Sequence, residues 1–559
     1  MIVFRHARVR VRLAELVAEV RAYLPGSGAA VSRPARDDAV LRLLLAASGL
    51  ECALSDHWGG EEDAWRPAQR AAMDLSIAAA ETYLGLLPRI SPVAAFAALA
   101  QGLPPPETMV VAACPEGFRY YALSPAAYVE PARRLAAAQP RGPVLVIGLR
   151  TIGSTLAPVV AAVLRATGRR CDVFTLRPHG HPEDRTYRAN ATLRRYVQQW
   201  PGLVAVVDEG PGLSGSSFGG AVRWVQAQGV ALSRIVLLPS WNPSGKRLCH
   251  TVVAREWDKW CKFPASEVAP RRGWGRDLSG GGWRKLVPRL RDVPVWPQEE
   301  RVKFLARNGR WLYKFSGLGR THAEAADRSR ALAGHGFSVA GVRAGEGWLR
   351  FPWRAAGPLQ AAECTAAAWT RWAGSYFAFL RSAFALGPSQ PPSAELQAMT
   401  AANVRALAGA PPPPLPPEAP PVRLDGRVLW HEWAVGEDGT YLKFDALDHG
   451  DDHFFPGPAD IAWDLAGMET EFGSPCAEAV IAAYQSRSGD RELYARLPWY
   501  RVAYTAFRAA FAAFAQELVG PPDAAGFRRE HLRYLRRLQR ALAATSAGSE
   551  APGRAIGGA

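Results

Sequence analysis

Short valine-rich runs, each closed by a polar turn and followed by a helical stretch, constrain this chain more than any other feature. The runs are TMVVAA (108–113), PVLVIGL (143–149), CDVFTL (171–176), LVAVVD (203–208) and RIVLLP (234–239). The helical stretches include APVVAAVLRATG, ATLRRYVQQW and AVRWVQAQG. A strand that is apolar throughout must be covered on both faces. The alternation with helices therefore predicts a parallel sheet inside α/β layers, and residues 105–266 are assigned to it.

With 559 residues, the chain exceeds what one core usually fills, and two or three domains are expected. Residues 1–104 read as helical, because DDAVLRLLLAASGLECAL and WRPAQRAAMDLSIAAAETYLGLL carry apolar positions at three- and four-residue spacing. SDHWGGEEDAW between them reads as a local loop. Residues 267–299, rich in glycine and proline, read as a linker. From 300 to 535 a further α+β domain begins with RVKFLARNGRWLYKFSG, a strand pair turning at Asn308-Gly309. Residues 361–408 read as helical, APPPPLPPEAPP (410–421) as a stiff surface connector, and 536–559 as a flexible tail.

The amino terminus lacks the apolar core of a signal peptide, and no run of 18 uncharged apolar residues occurs, which predicts a cytoplasmic protein without membrane spans. None of the seven cysteines forms a CxxC pair, so no zinc knuckle or disulfide framework is expected. Cys249 and Cys261 read as buried thiols. The formal charge of +16 favours anionic partners, among which nucleic acid is less favoured than small phosphorylated ligands because no recognition-helix or arginine–glycine pattern stands out. Oligomeric state is left open.

Ligands of open α/β sheets bind beyond the carboxyl ends of the strands. Three loops there are polar and contain glycine: RTIGS (150–154), RPHGHPEDRTYRAN (177–190) and DEGPGLSGSSFGG (208–220). Asp208 and Glu209 emerge at a strand end, where carboxylates can accept bonds from vicinal sugar hydroxyls. Ser214, Gly215, Ser216 and Ser217 precede a helix, whose free amides can seat a phosphate. Gly215 allows close approach or a positive φ. Serines also cap helices in proteins without ligands, and this loop alone leaves both readings open. Phe118, Tyr120 and Tyr121, just before the sheet, can stack on a base or pack in the core.

The order of these loops resembles type I phosphoribosyltransferases over roughly residues 105–250. VVDEGPGLSGSS looks like their ribose-phosphate signature, RTIGS like their pyrophosphate loop, and 177–190 sits where they carry a mobile hood. The acid pair lies one place early relative to Ser214-Gly215. The resemblance implies 5-phosphoribosyl 1-pyrophosphate as substrate, with Mg²⁺ on its diphosphate and Asp208 and Glu209 as catalytic and metal candidates. It also implies that Arg150, Gly153 and Ser154 hold pyrophosphate, and that Arg177, Arg185 and Arg188 neutralise charge from the hood.

In the third region, Lys314 lies on a predicted strand and Glu324 on the helix after it. A strand lysine braced by a helix glutamate can hold nucleotide phosphates. Asp425 follows in VRLDGRVLWHEW, and Asp445 ends the next strand of YLKFDALDHG, with Asp448, His449, Asp451 and Asp452 close behind. Asp460 and Asp464 in GPADIAWDLAG read as structural. Residues 300–535 resemble the aminoglycoside phosphotransferase and protein-kinase-like superfamily. This implies ATP and Mg²⁺, with Lys314 and Glu324 on the nucleotide, Asp425 catalytic and Asp445 on the metal. Two departures stand out. Arg423 occupies the place of the usual histidine, and Trp430 that of an asparagine, with His431 the substitute metal ligand.

The combined expectation is a bifunctional enzyme. One domain makes or breaks a ribosyl bond on a nucleoside-like compound, and the other phosphorylates a hydroxyl with ATP. The alternatives are one active transferase with a degenerate regulatory partner, or a non-catalytic nucleotide- or nucleic-acid-binding stress protein.

Overall fold

Valine and isoleucine pack well on a pleated surface, and the longest such runs build the central sheet. The computed structural model describes all residues except 1–7, 26–32, 140, 266–273, 354–355, 360–362, 448–449, 451, 453, 456 and 550–559. Strands β1 (Arg8–Arg12) and β2 (Met109–Ala113) pair with each other, antiparallel. TMVVAA thus does not join the parallel sheet as expected, because the RVRVR segment takes its edge.

The parallel sheet comprises β3 (Val144–Leu149), β4 (Cys171–Leu176), β5 (Leu203–Val207), β6 (Ile235–Leu238) and β7 (Cys261–Lys262), in the order β4-β3-β5-β6-β7. Every residue of β3 is buried. Val144 and Val146 join one core with helices Gly153–Ala166, Arg33–Gly59 and Pro67–Tyr83, while Leu145 and Ile147 join another with helix Ser216–Ala227 and Trp257. The amino-terminal helices are therefore one layer of the α/β structure. Chain order reverses between β3 and β5, so the loops beginning at Arg150 and Asp208 flank the switch point where such sheets bind ligands.

A second, antiparallel sheet contains β8 (Trp274–Asp277), β9 (Lys303–Ala306), β10 (Trp311–Phe315), β11 (Val342–Arg343) and β12 (Trp348–Pro352), ordered β11-β12-β10-β9-β8. Gly309 turns β9 into β10 with φ 68°, as Asn308-Gly309 predicts. β8 corrects the expected linker: its described part supplies an edge strand, and the short turns after it wall a cavity. Helix Gly319–Gly334 follows β10. A three-stranded sheet of β13 (Ala356–Pro358), β14 (Trp433–Gly436) and β15 (Tyr441–Lys443) leads to a helical bundle with its own core, including Trp369, Trp433 and Trp463. The expected helical stretch 361–408 contains two helices, Ala367–Ala383 and Ala394–Ala408, separated by a segment with three prolines. The tail also needs correction: helix Asp523–Ser549 runs through its first half, held by buried Phe527, Tyr534 and Leu538. Among the described residues, no helix is long and apolar enough to cross a membrane.

Candidate functional sites

At the end of β5 the two predicted acids diverge. Asp208 is half-buried, and its carbonyl accepts the Tyr128 hydroxyl at 2.6 Å. Burial pushes its carboxyl up to about 7, with a smaller opposing contribution from the Glu209 amide. Glu209 instead accepts the Gly117 amide at 3.1 Å. A Cβ on Gly117 would lie 2.6 Å from that carboxylate, so only glycine admits the contact. The amino-terminal turn Glu116–Arg119 is thereby clamped to the β5 loop.

Gly215 precedes helix Ser216–Ala227 as expected, and of its two readings it takes the positive φ, 68°. Ser214 Oγ accepts the Ser216 amide at 3.2 Å, and the Ser214 and Ser216 hydroxyls donate to the Pro182 carbonyl at 3.3 and 2.6 Å. The Ser217 carbonyl accepts the Tyr187 hydroxyl at 3.0 Å. Loop 177–190, bridged between His179 and Thr186, is thus fastened over the serine turn. Arg185 donates to the Gly180 carbonyl at 2.7 Å, and Arg188 is exposed, 3.7 Å from Glu61.

The expected pyrophosphate-loop arginine is committed elsewhere. The Arg150 side chain is 1% exposed and pairs with Asp56 at 2.7 Å and with Asp63. Arg177, from the predicted hood, pairs with the same Asp56 and donates its amide to Asp63 at 2.7 Å. Burial alone would raise Asp56, but Arg177 and Arg150 hold it below its ordinary value; at Asp63 burial wins and the shift is upward. Ser154 is buried, and a Cβ on Gly153 would meet the Val207 carbonyl at 3.0 Å, so this glycine serves close helix–strand packing. The segment SDHWGGEEDAW, read as a local loop, supplies both acids. Its first five residues end helix Arg33–Gly59, so Asp56 lies on that helix and only Asp63 lies in the loop after it. Their only sequence signal was two carboxylates beside tryptophans. Cys249 and Cys261, expected to be buried, are exposed.

The second site lies between the antiparallel sheet and the helical bundle. Lys314, buried on β10, forms an ion pair with Asp445, which follows β15 and has φ 54°. That conformation is uncommon without glycine but tolerated by aspartate. Glu324 does not brace Lys314. It accepts Arg423 at 2.9 Å and Arg320 at 2.8 Å, because Arg423 stands at the loop this helix faces. From the same helix, Arg328 donates to the carbonyls of Arg423, Leu424 and Ala446 at 2.7, 3.0 and 2.9 Å. The helix is tied to both acid-bearing loops.

Asp425 is 0% exposed. Its carboxylate accepts the Tyr376 hydroxyl at 2.7 Å and lies 3.1 Å from Lys443 Nζ, while Asp464 accepts the amides of Asp425 and Gly426 at 2.8 and 2.9 Å. Burial would lower Lys443, but Asp425 and Glu432 hold it up at about 12. Asp464 and Asp460 are structural as read, the latter bonded to Arg496 at 2.6 Å. Tyr376 and Lys443 were not anticipated; a lysine two residues before Asp445 was the available signal.

Lys314, Lys303, Asp445, Lys443, Arg427 and Trp296 are among the walls of a cavity of about 680 Å³. His431 also lines it, stacked on Trp283 with centroids 6.1 Å apart. Tyr120 and Tyr121 line this cavity too, and Phe118 packs in the core beside the parallel sheet. Asp452 caps Phe454 and Phe455 and pairs with Arg427. Asp448, His449 and Asp451 lie outside the described residues. Among the described residues, no group of three or more His, Cys, Asp or Glu side chains is placed to hold a metal.

No family model matches the sequence, and no curated protein matches it. The chain is similar in structure to a choline/ethanolamine kinase family protein from Mesorhizobium loti, with 19% identity, a TM-score of 0.31 and coverage of 44% of this chain and 90% of that one. It is also similar to a choline kinase from Streptococcus pneumoniae, at 14% identity and TM-score 0.29 over 44% of this chain and 90% of that one. An ethanolamine kinase from Plasmodium vivax overlaps at 8% identity and TM-score 0.29, over 43% of this chain and 79% of that one. Overlaps of this size assign neither family nor activity, and the functional reading rests on the residues of the sites.

Proposed function

We propose that the cavity beside Lys314 and Asp445 is a nucleotide site, and that the chain is an ATP-dependent phosphotransferase acting on a hydroxyl of a small sugar- or nucleoside-like molecule. The observation carrying this reading is a strand lysine meeting a strand-end aspartate on the wall of a cavity of about 680 Å³, a volume typical of small-molecule sites. Lys314 would neutralise phosphate oxygens. Asp445 would hold Mg²⁺, for which one or two carboxylates plus substrate phosphates suffice. Bound there, the ion supplies charge neutralisation for the β- and γ-phosphates. In the transfer, the acceptor oxygen bonds to the γ-phosphorus as the bond to the β–γ bridging oxygen breaks. ADP leaves, and the acceptor proton passes to a carboxylate.

The burial of Asp425 favours a second reading, in which this unit binds nucleotide without transferring phosphate. Asp425 acts as the base only when its contacts with Tyr376 and Lys443 open. Calorimetry of the full chain with Mg-ATP, followed by an ADP-release assay, separates the readings. Lys314→Ala and Asp445→Asn are each expected to weaken binding about tenfold or more, the loss of one charge-assisted contact. Unchanged affinity in both would remove the site, and binding without ADP release would select the second reading.

For the parallel-sheet unit we propose a phosphorylated-sugar site, with 5-phosphoribosyl 1-pyrophosphate the ligand that suits its loop order. Left-handed Gly215 opening a 12-residue helix supports a phosphate seat there. Because Arg150 and Arg177 are engaged by Asp56, charge on the leaving diphosphate falls to Arg185 and Arg188.

A further inference from the structure

The carboxyl-terminal helix, Asp523–Ser549, carries two kinds of arginine. On its inner flank the charges are answered. Arg533 lies 3.0 Å from Glu471, Arg537 donates to the Glu469 carbonyl at 3.3 Å, and Glu530 lies 3.8 Å from Arg508 of the neighbouring helix. On its outer face Arg528, Arg529, Arg536 and Arg540 are exposed, and among the described residues no ion pair is found for them. Positions 528, 532, 536 and 540 repeat every four residues, and 529 and 536 are seven apart, so these arginines share one side of the helix. At 1.5 Å per residue they span about 18 Å. Arg536 and Arg540 are like charges one turn apart, which repel in the isolated chain.

We propose that this outer face docks the phosphate backbone of a nucleic acid. Arginine forks match phosphate geometry, and a polyanion would relieve the repulsion along the helix. A lipid surface fits less well. A membrane-lying helix needs a free apolar face, whereas the apolar face here packs in the protein through Phe527, Tyr534 and Leu538 and leaves only Leu532, 49% exposed, among the outer arginines. The contact is to the backbone and carries no sequence preference. It is independent of the nucleotide and sugar sites.

The test uses the full chain, a fluorescein-labelled 20-base-pair DNA duplex and anisotropy titrations across salt. Four phosphate contacts correspond to a log–log salt slope of about −3.6, or about a 150-fold loss of affinity between 50 and 200 mM salt. Arg528→Gln/Arg529→Gln/Arg536→Gln/Arg540→Gln is expected to remove that part of the slope with an unchanged circular dichroism spectrum. If the quadruple variant does not fold, Arg536→Gln alone is expected to reduce the slope by about 0.9. Replacing exposed Arg133, Arg194, Arg195 and Arg371 by glutamine changes the net charge equally and is expected to leave the slope nearly intact. An equal loss in that control would assign binding to diffuse charge and overturn the proposal. So would the absence of DNA binding, or binding confined to phosphatidylserine vesicles.

Discussion

At the scale of single residues, burial sets the behaviour of the candidate site groups more than their neighbours in sequence do. Asp208 is the clearest case. An ordinary aspartate titrates near about 3.9, and the folded residue is pushed up to about 7. The folded chain therefore keeps a proton that the unfolded chain releases. Stability should fall as pH rises from about 4 to about 7, then level. Asp208→Asn is expected to abolish that fall. Urea unfolding midpoints of both proteins at pH 5 and pH 8 measure it, and parallel changes would show that Asp208 titrates normally. His322 acts in the opposite sense: burial holds it down to about 4, so stability is lost as pH drops from about 6.5 towards 4. Arg150 shows what buried charge requires. It is tolerated because Asp56 and Asp63 converge on it, and removing one partner from such a pair typically costs about 3–5 kcal/mol.

At the scale of elements, the serine turn is the feature whose conformation follows most directly from one residue. Gly215 sits at φ 68°, and a Cβ there would lie 3.0 Å from Val253 and 3.1 Å from Leu248. Gly215→Ala is expected to destabilise the chain by about 1–2 kcal/mol, the cost of a left-handed L-residue, and to weaken binding of 5-phosphoribosyl 1-pyrophosphate by tilting the first amides of helix Ser216–Ala227. Chemical denaturation and calorimetry read the two effects separately. Full stability in the variant would mean that the turn relaxes to another conformation. Helix Gly319–Gly334 is positioned differently, through Arg328 and its three carbonyl partners. This explains why Glu324 meets Arg423 and not Lys314.

At the scale of the whole molecule, one short segment touches both candidate sites. Glu209 clamps Gly117; the next residue's carbonyl accepts the Leu318 amide at 2.9 Å; the Arg119 carbonyl accepts Arg301, whose guanidinium lies 4.7 Å from the Tyr120 ring centroid. Tyr120 and Tyr121 then line the cavity beside Lys314 and Asp445. Glu346 of the second unit adds bonds from Tyr83 at 2.7 Å and Ser124 at 3.0 Å. A change at the β5 loop should therefore be felt across the molecule. Glu209→Ala is expected to raise the Mg-ATP dissociation constant about fivefold or more, the usual lower range of coupling between sites. Affinity equal to that of the unaltered protein would mean that segment 115–121 is a passive spacer.

Much of the architecture was legible because it depends on local rules. Apolar runs without alternation identified β3 to β6, Asn308-Gly309 placed the β9–β10 turn, and a positive φ was one of the two conformational uses open to Gly215. The partners of charged side chains were not legible, because burial decides them and burial is set by elements distant in sequence. Nothing near Arg150 indicates Asp56 or Asp63, nothing near Asp425 indicates Tyr376, and Lys314 and Asp445 stand 131 residues apart. The sequence by itself determined the apolar strands β3 to β6 and the loops that end them, since backbone sterics and hydrophobic period act within a few residues. Strands β1 and β8, in segments read as helical and as linker, are strands only because a partner strand lies beside them. The tertiary structure decided which of those loops offer their charges to a ligand and which spend them on the fold, since an ionised group taken out of water must be paired wherever the packing leaves it.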